Sequence, residues 1–181
     1  MEIVVLHGQK MPPEKPVVTS AEPVTILGGG ALGAGDLDEA LALAPVLVAA
    51  DSGADAALAA GLRPEAVIGD MDSISAGGKA ALGGAILHEV SEQDSTDFDK
   101  ALRHLSAPLT LAVGFTGARL DHELAVFHTL AARPEHRCIV VGQSDIVLHA
   151  PPLLEMPLAA GTRVSLFPMD RVSGRSDGLR W

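Results

Sequence analysis

The chain has 181 residues, a formal net charge of −10 and a hydrophobic fraction of 48%. The negative charge argues against a nucleic-acid partner, because phosphate backbones require a basic surface. The sequence contains no apolar stretch near the roughly 20 residues of a membrane span, and its first residues lack the basic region of a signal peptide. Cys138 is the single cysteine, which leaves no disulfide framework. We therefore expect a cytoplasmic protein that does not enter a membrane.

Three segments differ in texture along the chain. Residues 1–22 are rich in proline and aperiodic, and we predict an extended leader there. Over residues 23–150, short apolar runs alternate with Ala-rich amphipathic stretches, which is typical of βαβ units. The predicted strands are 24–27, 46–50, 66–68, 86–90, 109–113 and 139–141, and the predicted helices are 38–43, 54–60, 79–82, 97–105 and 121–132. The expected fold is α/β, an open and mostly parallel sheet with helices on both faces.

Two of the predicted helices have start signals and apolar stripes. A hydroxyl residue of the Ser95-Thr96 pair is placed to cap the helix that follows it, and Asp121 is the expected N-cap of the last helix. The stripe residues are Phe98, Leu102 and Leu105 in the first of these helices, and Leu120, Leu124, Phe127 and Ala131 in the second.

Beyond two prolines at 151–152, residues 158–167 alternate in the manner of a β-hairpin. A β-rich segment is therefore expected over residues 151–181, although about thirty residues are too few for an independent β domain.

Glycine and acidic residues are concentrated where the predicted strands end. These turns lie at residues 28–30, 51–54, 69–73, 92–100 and 114–122. Because ligands of open α/β sheets bind at the carboxyl ends of the strands, the pattern predicts one convergent polar site.

Asp70 and Asp72 flank one residue in a turn, which brings two like charges together. Mg²⁺ prefers such hard oxygen ligands together with substrate phosphates, and a solvated acidic turn is the alternative. Asp97 and Asp121 have a second interpretation as helix caps. Arg119 and Lys100 either bind phosphate or offset the acidic residues around them.

A different function is suggested by Gly28, Gly30 and Gly33, which match the dinucleotide-binding fingerprint, with Asp51 ending the next strand. That pattern would suit an NAD-dependent oxidoreductase. Gly35 weakens the match because it extends the loop, and the acidic turns would be left without a role.

Taken in order, these turns resemble the thiamine pyrophosphokinase family. That family has a Gly-rich turn, then Asp-Gly-Gly-Ala, Gly-Asp-x-Asp-Ser, Gln-Asp-x-Thr-Asp-x-x-Lys, Gly-x-Arg-x-Asp-His and a C-terminal Gly-Leu-Lys-Trp. The corresponding residues here are 28–30, 51–54, 69–73, 93–100, 117–122 and 178–181. Ser52 replaces a usual glycine, and Ser173 and Ser176 both compete for the place of a serine that precedes the tryptophan.

The resemblance implies Mg²⁺-dependent transfer of pyrophosphate from ATP to thiamine, with AMP as the leaving group. The implied Mg²⁺ ligands are Asp70, Asp72 and Asp97, and the implied catalytic set adds Arg119 and Asp121 to them. The implied ATP and diphosphate site comprises Gly29, Gly30, Asp51, Gln93, Thr96, Lys100 and Arg119, and thiamine would contact Ser176 and Trp181. Asp97 is our choice for the acceptor of the thiamine hydroxyl proton.

The resemblance also implies a homodimer in which the partner's β domain helps to hold thiamine. Because the family continues for several strands past this tryptophan, residues 151–181 are expected to be the start of an incomplete β-sandwich-type domain. A non-catalytic module that binds thiamine or a nucleotide is the remaining alternative.

Overall fold

The computed structural model describes residues 15–117 and 119–180. In chain order its strands are β1 (Val18–Thr19), β2 (Val24–Leu27), β3 (Val46–Ala50), β4 (Ala66–Gly69), β5 (Leu87–Glu89), β6 (Leu105–Ser106), β7 (Thr110–Val113), β8 (Cys138–Val141) and β9 (Ile146–Leu148). Its helices are α1 (Asp36–Leu43), α2 (Gly53–Ala59), α3 (Ala76–Leu82), α4 (Asp97–Arg103) and α5 (Leu120–Ala132), and a 3₁₀ turn (Gly84–Ile86) precedes β5.

The main sheet has the strand order β5-β4-β3-β2-β7-β8-β9. All neighbours pair in parallel except β9, which runs antiparallel to β8 at the edge. Every residue of β2, β4 and β7 is buried, as expected for parallel strands that are covered on both faces. The chain passes from β2 outward to β5 and returns to β7 on the other side of β2. The carboxyl ends of β2 and β7 therefore flank the switch point of the sheet, where such folds bind ligands.

Helices cover both faces of this sheet. On one face α4 and α5 pack against the strands through Phe98, Leu102, Val126 and Leu130. On the other face α1 and α2 contribute mainly alanine to the buried core and α3 contributes Leu82. The small side chains of α1 and α2 allow a close approach of helix to sheet. The predicted α/β class, with a mostly parallel sheet between two helical layers, is confirmed. None of the helices in the described residues has the length and hydropathy that crossing a bilayer requires.

The predicted apolar stripe of α5 is wrong in its first turns. Leu120 and Leu124 are 73% and 57% exposed, whereas Val126 and Leu130 are buried against the sheet. Apolar residues occur on more than one side of this helix, so helical spacing alone selects the wrong side. Asp121 is not the N-cap either, because the helix begins one residue earlier and Arg119 occupies that position without a side-chain cap.

The C-terminal region differs most from the prediction. No strand forms in residues 149–180, and the alternating residues 158–167 do not make a hairpin. Leu166 and Phe167 are exposed, because an alternating pattern stabilises a strand only when other strands share its core. The sequence analysis missed β9, and it also missed the ladder of β1 with β6, which pairs residues of the predicted leader with the main unit. Residues 1–14 of that leader and Trp181 lie outside the described residues.

Candidate functional site

Two glycine turns meet at the switch point of the sheet. The Gly28 amide donates to the Val113 carbonyl at 2.9 Å, and the Gly30 amide donates to the Gly114 carbonyl at 2.7 Å. A Cβ atom on either Gly28 or Gly30 would lie 2.6 Å from the Gly114 oxygen. Only glycine permits the two turns to approach this closely. The crevice lies between these turns, at the ends of β2 and β7.

Asp51 ends β3 directly beside this crevice. Its backbone has a φ of +42°, a left-handed conformation that asparagine and aspartate adopt more readily than most residues. Helix α2 then begins at Gly53. Only glycine fits there, because a Cβ atom would lie 2.0 Å from the Leu27 carbonyl oxygen. The Asp51 side chain is 1% exposed, and Ser73 donates its amide to Asp51 Oδ2 at 3.3 Å.

Three carboxylates from different elements form a cluster. Asp51 follows β3, Asp70 follows β4 and Asp97 opens α4, and one oxygen of each lies within 4.8 Å of the others. Neighbouring parallel strands end side by side, which explains how residues far apart in sequence meet here. We refer to Asp51, Asp70 and Asp97 as the carboxylate cluster.

Lys100 supplies positive charge to this cluster from the next turn of α4. Its Nζ atom lies 3.1 Å from Asp70 Oδ2 and 3.5 Å from Asp97 Oδ1, and its side chain is 1% exposed. Gln93 Nε2 donates to Asp70 Oδ2 at 3.1 Å, and the Asp72 amide donates to Asp70 Oδ1 at 3.3 Å. Asp70 is therefore well satisfied by hydrogen bonds.

The pKa values of the three carboxylates shift in different directions. Burial raises the pKa of Asp51, and the charge of Asp70 adds to this against the hydrogen bonds from Ser73. Burial and the charge of Asp51 likewise raise the pKa of Asp97. Burial alone would raise the pKa of Asp70, but the hydrogen bonds from Lys100, Asp72 and Gln93 lower it below its ordinary value. The surroundings thus disfavour the charged form of Asp51 and Asp97 and favour the charged form of Asp70.

This donor set fits a hard divalent cation. Asp51 Oδ1 is buried without a hydrogen-bond partner among the described residues, and Asp97 Oδ1 is buried with no hydrogen bond beyond its 3.5 Å ion pair with Lys100. Oxygens of this kind are the ligands that Mg²⁺ prefers. The predicted metal set had Asp72 in place of Asp51. Asp72 lies outside the cluster and its carboxylate accepts a hydrogen bond from Ser73 Oγ at 2.8 Å. That Asp51 could join the metal site was missed, because the sequence does not state that β3 and β4 are neighbours.

A cleft of about 470 Å³ opens over the cluster. The predicted site residues that line it are Gly29, Gly30, Asp70, Asp72, Gln93, Thr96, Asp97, Lys100 and Arg119. Asp51, Asp121 and Ser176 do not line it, and Trp181 lies outside the described residues. Ser52, Phe115 and His122 also line the cleft, although the sequence analysis gave them no role. In the sequence they are distinguished only by lying in the predicted turns at residues 51–54 and 114–122.

Thr96 and Arg119 also have partners within the chain. The Thr96 hydroxyl accepts a hydrogen bond from the Asp99 amide at 3.3 Å, which confirms it as the cap of α4. Arg119 Nε and Nη2 donate to the two Asp121 carboxylate oxygens at 3.1 and 2.6 Å. Both side chains of this pair are mostly exposed, so a phosphate could compete for the guanidinium.

The dinucleotide-binding interpretation is not favoured by this geometry. Helix α1 begins at Asp36, well beyond the Gly28–Gly30 turn, and the Gly33 amide donates to the Asp36 carboxylate at 2.7 Å. Asp51, which would contact a ribose in that interpretation, is buried in the carboxylate cluster instead.

Comparison with known proteins gives a consistent result. A sequence model of the family described as thiamin pyrophosphokinase, catalytic domain, matches residues 37–141. Thiamine pyrophosphokinase 1 of Arabidopsis thaliana is 26% identical over 138 residues, which is 66% of this chain and 52% of that protein. The chain therefore spans about half the length of the curated relatives it matches.

Solved structures share the fold. A thiamin pyrophosphokinase from Geobacillus thermodenitrificans superposes with a TM-score of 0.52 at 28% identity, covering 66% of this chain and 59% of that one. A protein from Lactobacillus plantarum gives a TM-score of 0.54 at 31% identity, covering 68% of this chain and 62% of that one. Because the family match extends over more than half of the chain and includes the whole carboxylate cluster, this chain belongs to the thiamin pyrophosphokinase family through its catalytic domain.

Proposed function

We propose that this chain catalyses transfer of a pyrophosphoryl group from ATP to thiamine, with Mg²⁺ as the cofactor. The observation that carries the proposal is the carboxylate cluster beneath a cleft at the switch point of the sheet, in a chain of this family. The thiamine hydroxyl oxygen forms a bond to the β-phosphorus of ATP, the bond from that phosphorus to the α,β-bridging oxygen breaks, and AMP leaves with the bond electrons.

The chain's own residues would do most of this work by position and charge. Asp51, Asp70 and Asp97 would hold Mg²⁺, with Asp72 at the rim of the cleft. When bound, Mg²⁺ supplies positive charge that balances the phosphate oxygens. Arg119 would exchange Asp121 for a phosphate, since a guanidinium binds both through charge-assisted hydrogen bonds.

The remaining assignments concern the two substrates. We propose that Gly29, Gly30, Gln93 and Thr96 border the nucleotide, because all four line the cleft. Asp97 would accept the hydroxyl proton, because its carboxylate lines the cleft at the start of α4. Lys100, which was predicted to bind phosphate, already contacts Asp70 and Asp97, so we propose that it balances their charge. Ser176 and Trp181 remain proposals for thiamine binding.

We also propose a cytoplasmic homodimer. Its support is the set of exposed apolar side chains in residues 149–180, among which Leu153, Phe167 and Val172 are 77%, 83% and 71% exposed. A second copy of the chain would cover apolar side chains that otherwise face water. Light scattering at micromolar protein concentration tests the association, and a monomer would contradict it.

The reaction itself is tested by ³¹P NMR and chromatography of the full chain with ATP, thiamine and Mg²⁺. We expect thiamine-dependent release of AMP and formation of thiamine diphosphate. Asp70→Asn should abolish the reaction, whereas Asp145→Asn, an exposed acid paired with Arg163, is the matched control. Release of ADP with thiamine monophosphate would replace the proposal by a simple kinase, and binding of both substrates without AMP release would indicate a non-catalytic module.

A further inference from the structure

The loop between β5 and α4 is folded around one carboxylate that does not line the cleft. Glu92 Oε2 accepts hydrogen bonds from the amides of Asp94 and Ser95 at 2.8 and 3.1 Å. Glu92 Oε1 accepts the Ser95 hydroxyl at 2.5 Å. This single side chain therefore fixes the backbone of residues 92–95.

Arg103 anchors that carboxylate to the end of α4. Its Nη2 atom donates to Glu92 Oε1, and the Arg103 side chain is 10% exposed. Arg103 Nε lies 3.8 Å from Asp99 Oδ2, and Arg133 at the end of α5 binds both Asp99 oxygens at 2.5 and 2.9 Å. A continuous chain of ion pairs thus connects the loop with α4 and α5.

The loop is connected to the carboxylate cluster at two points, through Gln93 and through Thr96. Gln93, next to Glu92, donates to Asp70 Oδ2 at 3.1 Å. Thr96 caps α4, and the first residue of that helix is Asp97 of the carboxylate cluster. A shift of the loop would therefore move the Gln93 amide and the Asp97 carboxylate together, although neither Glu92 nor Arg103 belongs to the cluster.

The surroundings of Glu92 keep its carboxylate charged beside Arg103. Burial alone would raise the pKa of Glu92, but the hydrogen bonds of Ser95 and Asp94 and the charge of Arg103 lower it. Glu92 therefore remains an acceptor for all of its donors at neutral pH. Removing one partner of such a pair leaves the other poorly compensated, so the loop would lose its fixed geometry.

We propose that Glu92 and Arg103 are positioning residues that set the spacing of the carboxylate cluster for a divalent cation. This inference rests on the metal site of the proposed function. Outer-shell partners of metal ligands, such as Gln93, typically affect metal affinity about 10- to 100-fold. Because Glu92 and Arg103 act through Gln93 and Asp97, we expect a loss at the lower end of that range when either residue is replaced.

The test measures Mn²⁺ affinity of the metal-free full chain by calorimetry, without any turnover. Glu92→Gln and Arg103→Met should weaken Mn²⁺ binding by about ten-fold or more, and Arg103→Lys should recover part of it by restoring the charge. Arg63→Met is the matched control, because Arg63 donates to the Ala81 and Leu82 carbonyls on the opposite face of the sheet. Its thermal stability should fall while its Mn²⁺ affinity stays unchanged.

Each outcome decides the matter. Mn²⁺ affinity of Glu92→Gln and Arg103→Met equal to that of the wild type overturns the inference. An equal loss of affinity in Arg63→Met also overturns it, because the effect would then be general destabilisation. A wild-type chain that binds Mn²⁺ but releases no AMP refutes only the proposed reaction, whereas a wild type that binds no Mn²⁺ refutes the metal site and this inference together.

Discussion

Replacement of Asp51 by asparagine is expected to stabilise the metal-free protein at neutral pH. The side chain is 1% exposed, and its Oδ1 atom has no hydrogen-bond partner among the described residues. An unsatisfied buried polar group costs about 1–3 kcal/mol. Asparagine removes the charge, keeps an oxygen for the Ser73 amide and places an NH₂ donor beside the Asp70 and Asp97 carboxylates. The same backbone conformation suits asparagine. We expect a gain of about 1–2 kcal/mol, which corresponds to a rise in Tm of about 2–8 °C for a chain of this size.

The gain depends on pH in a direction that the burial of Asp51 fixes. Burial and the charge of Asp70 raise the pKa of Asp51 in the folded state, so the folded chain binds more protons than the unfolded chain between the two pKa values. Wild-type stability therefore falls as the pH rises through that window. Below that window Asp51 is protonated in both the folded and the unfolded chain, and the stability gain of Asp51→Asn should disappear.

The assay is thermal unfolding followed by circular dichroism at neutral and acidic pH, in EDTA and in excess Mg²⁺. The order should reverse with Mg²⁺, because a ligand stabilises only the protein that binds it. Asp145→Asn provides an isosteric control at an exposed site. An Asp51→Asn protein that is less stable than the wild type in EDTA at neutral pH would refute the reasoning, since the carboxylate would then be favourable to the fold.

Three further predictions follow from contacts at the cleft. Asp70→Asn should lose about 2 kcal/mol in urea unfolding, because it weakens the partner of the buried Lys100 ammonium; unchanged stability would contradict this. Gly53→Ala should lose about 1–3 kcal/mol through overpacking against β2, whereas Gly77→Ala, whose Cβ would meet only one atom at 3.9 Å, should not; equal effects would exclude the steric explanation. Arg119→Ala should keep the wild-type Tm but lower kcat/KM for ATP by about 10- to 100-fold, and wild-type kinetics would remove Arg119 from the site.

The parts of the fold that local pattern determines were predicted well. Strands β2 and β3 have the predicted bounds, because each is a short apolar run between turn residues. Strand β5 begins one residue later than predicted, since a 3₁₀ turn occupies residues 84–86. The C-terminal hairpin prediction failed for a different reason. Strand formation at residues 158–167 depends on partner strands, which alternation in the sequence does not supply.

Most of the residues predicted for the site lie at one cleft, but the sequence did not indicate which of them share the carboxylate cluster. The glycine and acidic turns identified the crevice, and most of the residues chosen there line it. The membership of Asp51 in the carboxylate cluster follows from the pairing of β3 with β4, a long-range fact without a local signal. Glu92 and Arg103 were missed because their role lies in contacts between a loop and the end of a helix.

The charges of the cleft affect how the proposed nucleotide substrate would bind. Asp70 and Asp97 line the cleft and share the ammonium of Lys100, and Asp51 is buried in the same cluster. The floor of the cleft is therefore negative, and Arg119 is engaged by Asp121. Two like charges at about 5 Å repel by about 3 kcal/mol at an effective dielectric constant of about 20. A bare triphosphate should therefore bind weakly whatever its shape complementarity, and a divalent cation should control nucleotide affinity as well as turnover. Calorimetry with a non-hydrolysable ATP analogue separates these effects: we expect binding with Mg²⁺ and a large loss of affinity in EDTA. Equal affinity under both conditions would mean that the nucleotide phosphates lie away from the carboxylate cluster.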